Sequence, residues 1–502
     1  MNPNMAATNG WKWRMLFCIS IIINCQLSIV NYAQAQRVVL DIERTVQLAT
    51  DSSYSAQKHR SQYDISRFQY LSWQASRKPQ FSLESTPVMY ERYMTQRYIS
   101  DTDRDEYRVQ RYLYSDAGIS ATQKFEPLGG SFYGASQLGY LRTFGDGSQR
   151  QFMTVPLSFG YRQELLFYNG LKWDCEIEPL KLTRAEKELA YGIETAASEA
   201  VELFFGLALA QSSVRMSEEY LAACDTIYAI GERRFKIASI SKAELSMLEL
   251  EKTNAGITLT NARIAHTRAV QELATYLGMD PAMEIELVIP SVIPNLIIDA
   301  TEAVEQAREN NPHYIEMQQA VAEARRDAAR AQVEKNFSVG LDVRVGFNQA
   351  SSRFVDAYRN LLSQDMATVT LNVPLVDWGR RKNIYQAALS KLEMAEQTER
   401  ESASNTEVAV RLAAGEFNER QSIVASASEA LSIAEEAYTQ TLGRFIRAQA
   451  DVYELLLAQS HWQTANQNQI ASLQNYWLSY YQLRRLTLFD YRLRQPIRYV
   501  SQ

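Results

Sequence analysis

The hydrophobic pattern of this chain changes period along the first half and repeats the same order in the second half. Each half begins with a helical pattern, changes to alternating apolar and polar residues, and returns to two helical patterns separated by a short turn. Val46 corresponds to Val304, and Arg234-Phe235 corresponds to Arg444-Phe445. We therefore predict an internal two-fold repeat of one mixed helix and strand module. The predicted helices are 41–78, 171–236, 241–277, 300–336, 380–447 and 451–487.

Apolar residues occupy every seventh position in the two longest predicted helices. In the first, Ile193, Ala200 and Leu207 belong to a seam that reaches Phe235. This spacing is typical of helices that pack as coiled coils, although an ordinary helical bundle explains it equally well. Length adds information, because a helix over 171–236 would be about 100 Å long, which no compact domain requires.

Two segments, 79–165 and 337–375, alternate with the period of a β-strand. Val339, Leu341 and Val343 are apolar, and the residues between them are polar or glycine. Strands with one apolar face fit a membrane β-barrel with a polar lumen, and a soluble sheet with one wet face is the alternative. We expect four strands per chain, which cannot close a barrel alone, so a homotrimer would share one twelve-stranded barrel. The long segment 91–150 adds either a hairpin or an outer loop.

The N-terminal residues have the features of a secretory signal. Lys12 and Arg14 precede the apolar run 15–23, and Ala33-Gln34-Ala35 forms a small-residue cleavage motif. We predict that 1–35 is a signal peptide, and retention of the apolar run as an anchor is the alternative. The net charge of −6 gives no indication of a nucleic-acid surface.

Catalytic and metal-binding signatures are absent from the sequence. The four histidines are scattered without metal-ligand spacing, and neither a phosphate loop nor a nucleophile elbow is present. Cys175 and Cys224 lie on one predicted helix, too far apart to form a disulfide, and we expect both to be buried small side chains. The sequence therefore predicts no enzyme, no cofactor and no metal site.

Three motifs together resemble the TolC family of outer-membrane efflux proteins, over about 37–490. The first is Val373-Pro374-Leu375-Val376-Asp377-Trp378-Gly379-Arg380-Arg381, whose first-half copy at 165–173 looks like the variant of Bacteroidetes-type members. The second is the helix–turn–helix at each tip, and the third is the end at 476–483. The resemblance implies an α+β membrane protein, a TolC-like trimeric duct. Its outer-membrane β-barrel would have four strands per protomer and continue into a long periplasmic α-helical coiled-coil barrel.

On this interpretation the mature chain divides into two structural repeats and a linker. The first repeat is 36–285 and the second is 300–490. The proline-rich segment 278–299 is the linker at the equator of the duct, and 491–502 is a C-terminal tail.

In the family, the two helix–turn–helix tips lie at the periplasmic end and contact an adaptor protein. The family usually has glycine where Ala238 and Ala448 stand, and glycine suits a left-handed turn residue. Ser241 and Asp451 can cap the returning helices, which alone would explain both residues. The candidate adaptor contacts are Arg234, Phe235, Ala238, Ser241, Arg444, Phe445, Ala448 and Asp451.

Glu244 and Glu454 follow in the first turn of each returning helix. They are either favourable charges at a helix N-terminus or part of an acidic ring that selects cations at a narrow end. By resemblance, Glu454 matches one acidic position of the family constriction. The second acidic position falls on Leu457 and the family's gate arginine on Ala450. We therefore take Arg234, Arg444 and Arg447 as candidates for the gate bonds.

The resemblance implies a passive outer-membrane efflux duct that works with a periplasmic adaptor and an inner-membrane pump. It would lie in the cell outer membrane, in contact with lipid, with its helical part in the periplasm. One alternative keeps the fold and makes the chain the outer-membrane duct of type I protein secretion. Another is a periplasmic coiled-coil scaffold that forms no channel.

Overall fold

The computed structural model describes residues 38–99, 103–145, 148–238, 240–281, 283–290, 293–447 and 449–499. The predicted signal peptide 1–35 lies outside the described residues. Within these ranges the chain has mixed helix and strand content, in agreement with the expected α+β class.

The helices have the same lengths in both halves, as an internal repeat requires. Short helices of 11 and 23 residues open each half, and a helix of 67 residues followed by one of 36 closes it. The first half contains α1 (Ile42–Ser52), α2 (Tyr54–Ser76), α3 (Gly170–Lys236) and α4 (Lys242–Leu277). The second half contains α5 (Ala300–Asn310), α6 (Pro312–Glu334), α7 (Arg380–Ile446) and α8 (Val452–Thr487).

The helices expected at 41–78 and 300–336 are each broken in two. The breaks fall at Ser53 and Asn311, which occupy the same position in the two repeats. Ser53 Oγ accepts a hydrogen bond from the Ala56 amide at 3.1 Å, and Asn311 Oδ1 accepts one from the His313 amide at 2.9 Å. Pro312, which has no amide hydrogen, stands at the start of α6. Side-chain capping therefore ends one helix and starts the next at both sites.

Two short strand pairs lie outside the main sheet in the described residues. β1 (Val38–Leu40) pairs in parallel with β6 (Ile285–Leu287), which lies within the predicted linker 278–299. β9 (Phe489–Asp490) pairs with β10 (Gln495–Pro496) in the C-terminal tail.

The main sheet has six antiparallel strands per chain, where four were expected. Its order is β2-β3-β4-β5-β7-β8. The two additional strands, β3 and β4, come from the segment 91–150, so this segment adds a hairpin. Their alternation is hard to see in the sequence because glycines and serines occupy both faces of β4. The strands are β2 (Gln80–Ile99), β3 (Arg104–Phe125), β4 (Gly130–Phe144), β5 (Arg150–Gln163), β7 (Ser338–Ser351) and β8 (Leu362–Asn372).

The motif that follows β8 is a strand-to-helix turn. Asp377 accepts hydrogen bonds from the amides of Gly379 at 3.0 Å and Arg381 at 3.1 Å. Trp378 and Gly379 both have positive φ, of 53° and 81°. At the end of the first-half copy, Asn169 Oδ1 accepts from the Lys172 amide at 3.0 Å. An acidic or amide side chain close to the start of the long helix therefore caps it in both repeats, Asp377 in the second and Asn169 in the first.

The chain forms two compact units. One, the helical unit, comprises the described residues of 38–61, 189–310 and 408–499. The other, the sheet unit, comprises 62–188 and 311–407 and contains the six-stranded sheet.

The core of the helical unit is built from aromatic rings. Phe417 is fully buried, and its ring centre lies 5.1 Å from that of Tyr476 and 5.9 Å from that of Tyr480. Phe204 and Phe205 of α3 belong to the same cluster. The predicted heptad of α7 therefore meets the aromatic residues of the C-terminal motif in this core. Ala200 and Leu207 of the α3 heptad belong to a second cluster, with Leu273 and Leu277 of α4.

A charged cluster is also buried in the helical unit. Glu194 of α3 is fully buried and lies 2.9 Å from Arg484 of α8, which also contacts Asp490 at 3.1 Å. Tyr499 donates a hydrogen bond to Glu194 at 3.0 Å. Burial raises the pKa of the Glu194 carboxyl, while Arg484 opposes that rise. These contacts attach the C-terminal tail to α3.

The described part of the chain contains two cysteines, and both are free. Cys224 is buried as expected, whereas Cys175 is partly exposed. No group of three or more His, Cys, Asp or Glu residues in the described part of the chain could hold a metal ion. No helix in the same ranges is long and apolar enough to cross a membrane.

Candidate functional site: the two helix–turn–helix tips

The first tip joins α3 to α4 through a turn in which alanine adopts a left-handed backbone. Ala238 has a φ of 57°, and its amide donates to the Phe235 carbonyl at 2.9 Å. This conformation favours glycine, because a Cβ crowds the following carbonyl. Ala238 therefore adopts, with some backbone strain, a conformation that glycine would adopt without it.

Ser241 and Glu244 form a complete capping box at the start of α4. Ser241 Oγ accepts from the Glu244 amide at 3.2 Å, and Glu244 Oε2 accepts from the Ser241 amide at 2.7 Å. The bond from the Ser241 amide lowers the pKa of the Glu244 carboxyl. Glu244 is thus a capping residue that stays ionised at neutral pH.

The second tip joins α7 to α8 and holds its acidic residue differently. Asp451 Oδ1 accepts from the Glu454 amide at 2.7 Å and caps α8. The Glu454 carboxylate lies 3.4 Å from the Arg444 guanidinium, which also donates to the Gln449 carbonyl at 3.0 Å. Ala448 lies outside the described residues. Two predicted site residues, Arg444 and Glu454, are therefore joined within one hairpin.

An apolar cluster lies where the two tips meet. Phe445 is buried against Ile227 and Leu248 of the first hairpin and Leu455 of the second. The guanidinium of Arg234 lies 6.0 Å from the centre of the Phe445 ring, at the limit of a cation–π contact. Beside this cluster is a cavity of about 450 Å³, lined by residues of both hairpins.

Phe235 and Phe445 occupy the same position in the two repeats but differ in environment. Phe445 is 3% exposed, whereas Phe235 is 40% exposed. Ile237, in the adjoining turn, is 75% exposed. The first tip therefore presents apolar side chains to its surroundings where the second tip buries its phenylalanine within the chain.

Sequence reasoning found most of the tip residues but not all of their partners. The structure brings together Arg234 with Phe445 and Arg444 with Glu454, whereas the Arg447 side chain donates to the Gln449 side chain at 3.5 Å. Sequence reasoning missed Gly231, where an added Cβ would lie 2.5 Å from the Leu248 side chain. A glycine inside a heptad pattern is the signal that could have identified this close approach.

Comparison with known proteins finds similar sequences and similar folds. Residues 303–487 match the family described as outer membrane efflux protein. This match lies within the second half of the chain. The expected resemblance to the TolC family is therefore confirmed, and this family consists of transport ducts rather than enzymes. The Bacteroidetes-type placement remains a prediction.

One curated relative and several solved structures extend the likeness to the first half. Protein CyaE of Bordetella pertussis is 25% identical over 332 residues, which cover 65% of this chain and 68% of the relative. The CmeC outer membrane channel of Campylobacter jejuni has a TM-score of 0.65 and 12% identity, over 89% of this chain and 85% of that chain. The MtrE outer membrane channel of Neisseria gonorrhoeae, in its open state, has a TM-score of 0.57 and 12% identity, over 89% and 88%. At this level of identity the solved structures show the fold.

Proposed function

We propose that this chain is the outer-membrane channel component of a tripartite efflux system. It acts as a passive export duct for small molecules and needs no catalytic group. The observation that carries this proposal is the match of 303–487 to the outer membrane efflux protein family. A fold similar to that of outer membrane channels over about nine-tenths of the chain supports it.

The working form is a homotrimer whose copies pack through their helices. Leu250, Ile257 and Ile264 of α4 recur every seven residues, and each is more than half exposed in the single chain. Such a stripe is the seam of a coiled coil. A contiguous exposed apolar surface of this kind marks an interaction site, and a second copy of the chain is the partner we assign to it.

The six-stranded sheet lies in the outer membrane and the long helices extend into the periplasm. Apolar side chains on one face of the sheet support contact with lipid, and the polar residues of the other face suit a water-filled lumen. The energy for transport comes from an inner-membrane pump, because the chain has the features of a duct alone.

The tips contact the periplasmic adaptor and carry the gate. The exposed Phe235 and Ile237 and the cavity between the hairpins offer apolar surface to a partner helix. Ala238, Ser241 and Asp451 shape the turns that present this surface. The Arg444–Glu454 pair and the contact of Arg234 with Phe445 are the bonds that must rearrange when the adaptor docks.

The mass of the mature chain, extracted with detergent from separated outer membranes, tests the proposal. We expect three chains per particle in this fraction. The periplasmic fraction from the same cells is the control. A monomer found in the soluble periplasm would contradict the duct and favour the coiled-coil scaffold.

Glu244→Gln combined with Glu454→Gln is expected to weaken the preference for cations in bilayer conductance. Three copies would place six carboxylates around the narrow end, and their removal takes away the field that favours cations. Glutamine keeps the capping bond of residue 244. The ratio of cation to anion permeability should fall several-fold at 0.1 M salt and less at 1 M, where the Debye length is about 3 Å.

The matched control for this double variant is Glu272→Gln with Glu435→Gln. Both of these carboxylates are exposed and lie on α4 and α7 away from the tips, so the change in net charge is the same. Equal selectivity in the two double variants would mean that Glu244 and Glu454 serve only as capping and pairing residues.

A further inference from the structure

The two additional strands continue the pattern of the other four. Pairing across the sheet places one apolar side chain after another on the same face, as Leu83↔Ile119 and Phe159↔Val345 show. This apolar face comprises Phe81 and Leu83 of β2, Ile119 of β3, Phe132 of β4, Phe159 of β5, Val345 of β7 and Val369 of β8. Each of these side chains is at least 45% exposed in the single chain.

The opposite face of the sheet is polar across the same strands. Ser82 and Ser120 form a side-chain hydrogen bond between β2 and β3 at 2.7 Å. Tyr133 of β4 donates to Asp342 of β7 at 2.7 Å, and Arg162 of the intervening β5 lies 2.8 Å from the same carboxylate. An additional strand is therefore joined by polar side chains to a strand of the second repeat.

Gly160 of β5 allows this connection. A Cβ at this position would lie 2.3 Å from the Tyr133 ring, so the ring passes over the strand where no side chain stands. The glycine, the tyrosine and the aspartate fit one another across three strands. Strand β4 is therefore built into the sheet by side-chain contacts, unlike a loop that folds over the end of a sheet.

Backbone pairing leads to the same conclusion. β3 pairs with β4 continuously from Arg111↔Phe144 to Phe125↔Gly130. The edges of the described sheet are β2 and β8, not the inserted hairpin. In lipid such edges must pair, because unsatisfied backbone groups cost several kcal/mol each there.

We propose that β3 and β4 are full members of the membrane wall, so that three copies close an eighteen-stranded barrel, β2 of one copy pairing with β8 of the next. This inference rests on the proposed trimeric duct and adds to it the width of the exit. Because diameter grows roughly linearly with strand number, the barrel would be about half again as wide as one of twelve strands. The chain would therefore open more widely at the cell surface than a duct with four strands per copy.

Site-directed nitroxide labelling in proteoliposomes tests this wall. The test positions are Ile119→Cys and Leu138→Cys on the apolar face, and Ser120→Cys and Gln137→Cys on the polar face. Val345→Cys and Thr368→Cys are matched controls on the strands of the second repeat. All are made with Cys175→Ser and Cys224→Ala. Collision of the label with oxygen reports lipid, and collision with a water-soluble nickel chelate reports water.

We expect the labels at 119 and 138 to match 345 in favouring oxygen, and those at 120 and 137 to match 368 in favouring nickel. If 119 and 138 favour nickel while 345 favours oxygen, β3 and β4 lie outside the membrane and the barrel has twelve strands. If 345 itself favours nickel, the proposed membrane placement of the sheet fails. Electron cryo-microscopy of the unmodified particle, with strands counted in cross-section, decides between eighteen and twelve even where a variant does not assemble.

Discussion

Arg484→Ala is expected to lower the free energy of unfolding by about 3–5 kcal/mol, because it leaves the buried Glu194 charge without its partner. The Glu194 side chain is 1% exposed and Arg484 16%, so water cannot replace the lost contact. Arg484 also holds Asp490 at 3.1 Å, so the variant should loosen the C-terminal tail. Chemical unfolding followed by circular dichroism, at matched protein concentration, measures the change.

The effect of this variant should depend on pH in a defined direction. Burial raises the pKa of Glu194 above its ordinary value of 4.5, and removal of Arg484 takes away an influence that lowers it. A carboxyl whose pKa is higher in the folded state loses stability as the pH rises from the unfolded to the folded pKa. The destabilisation should therefore be smallest below pH 4.5 and grow above it.

Two matched variants separate the charge pair from general loss of packing. Arg485→Ala removes the neighbouring arginine, whose guanidinium lies 5.4 Å from the Tyr191 ring, and should cost only about 0.5–1 kcal/mol. Glu194→Leu with Arg484→Met removes both charges and should recover most of the loss. Equal costs for Arg484→Ala and Arg485→Ala would show that the buried pair has no special role.

Phe417→Ala is expected to cost about 3–5 kcal/mol through the cavity that it opens in the aromatic core. Phe417 is fully buried between Tyr476 and Tyr480, with ring centres 5.1 Å and 5.9 Å away. These tyrosines belong to α8, so the cavity would separate α7 from its partner helix. The same unfolding measurement applies, and the loss should be nearly independent of pH because no charge is involved.

Phe68→Ala is the control, since Phe68 is 63% exposed on α2. Phe417→Leu should fall between the two, because leucine fills part of the space. A cost for Phe417→Ala no larger than that for Phe68→Ala would mean that the core collapses around the missing ring.

The sequence by itself determined the elements that depend on local periodicity. Heptad spacing predicted α3 and α7, and alternation predicted β7 and β8, because one buried face imposes its period directly on the residues. The same pattern aligned the repeats and located the turn between the last two helices of each, and the family resemblance identified these turns as the tips. Capping by Ser241 and Asp451 was also predictable, because it depends on residues within one turn.

Tertiary structure decided the features that depend on contacts between distant segments. β3 and β4 were not counted because glycines interrupt their alternation, and it is pairing with long neighbours that makes them strands. Phe235 and Phe445 stand at equivalent positions, yet burial of only the second follows from the other hairpin packed against it. Glu194 looks like one more helical carboxylate until Arg484, 290 residues away, is placed beside it. Local pattern fixes which face of an element is apolar, whereas the identity of what covers that face is settled only when the chain folds.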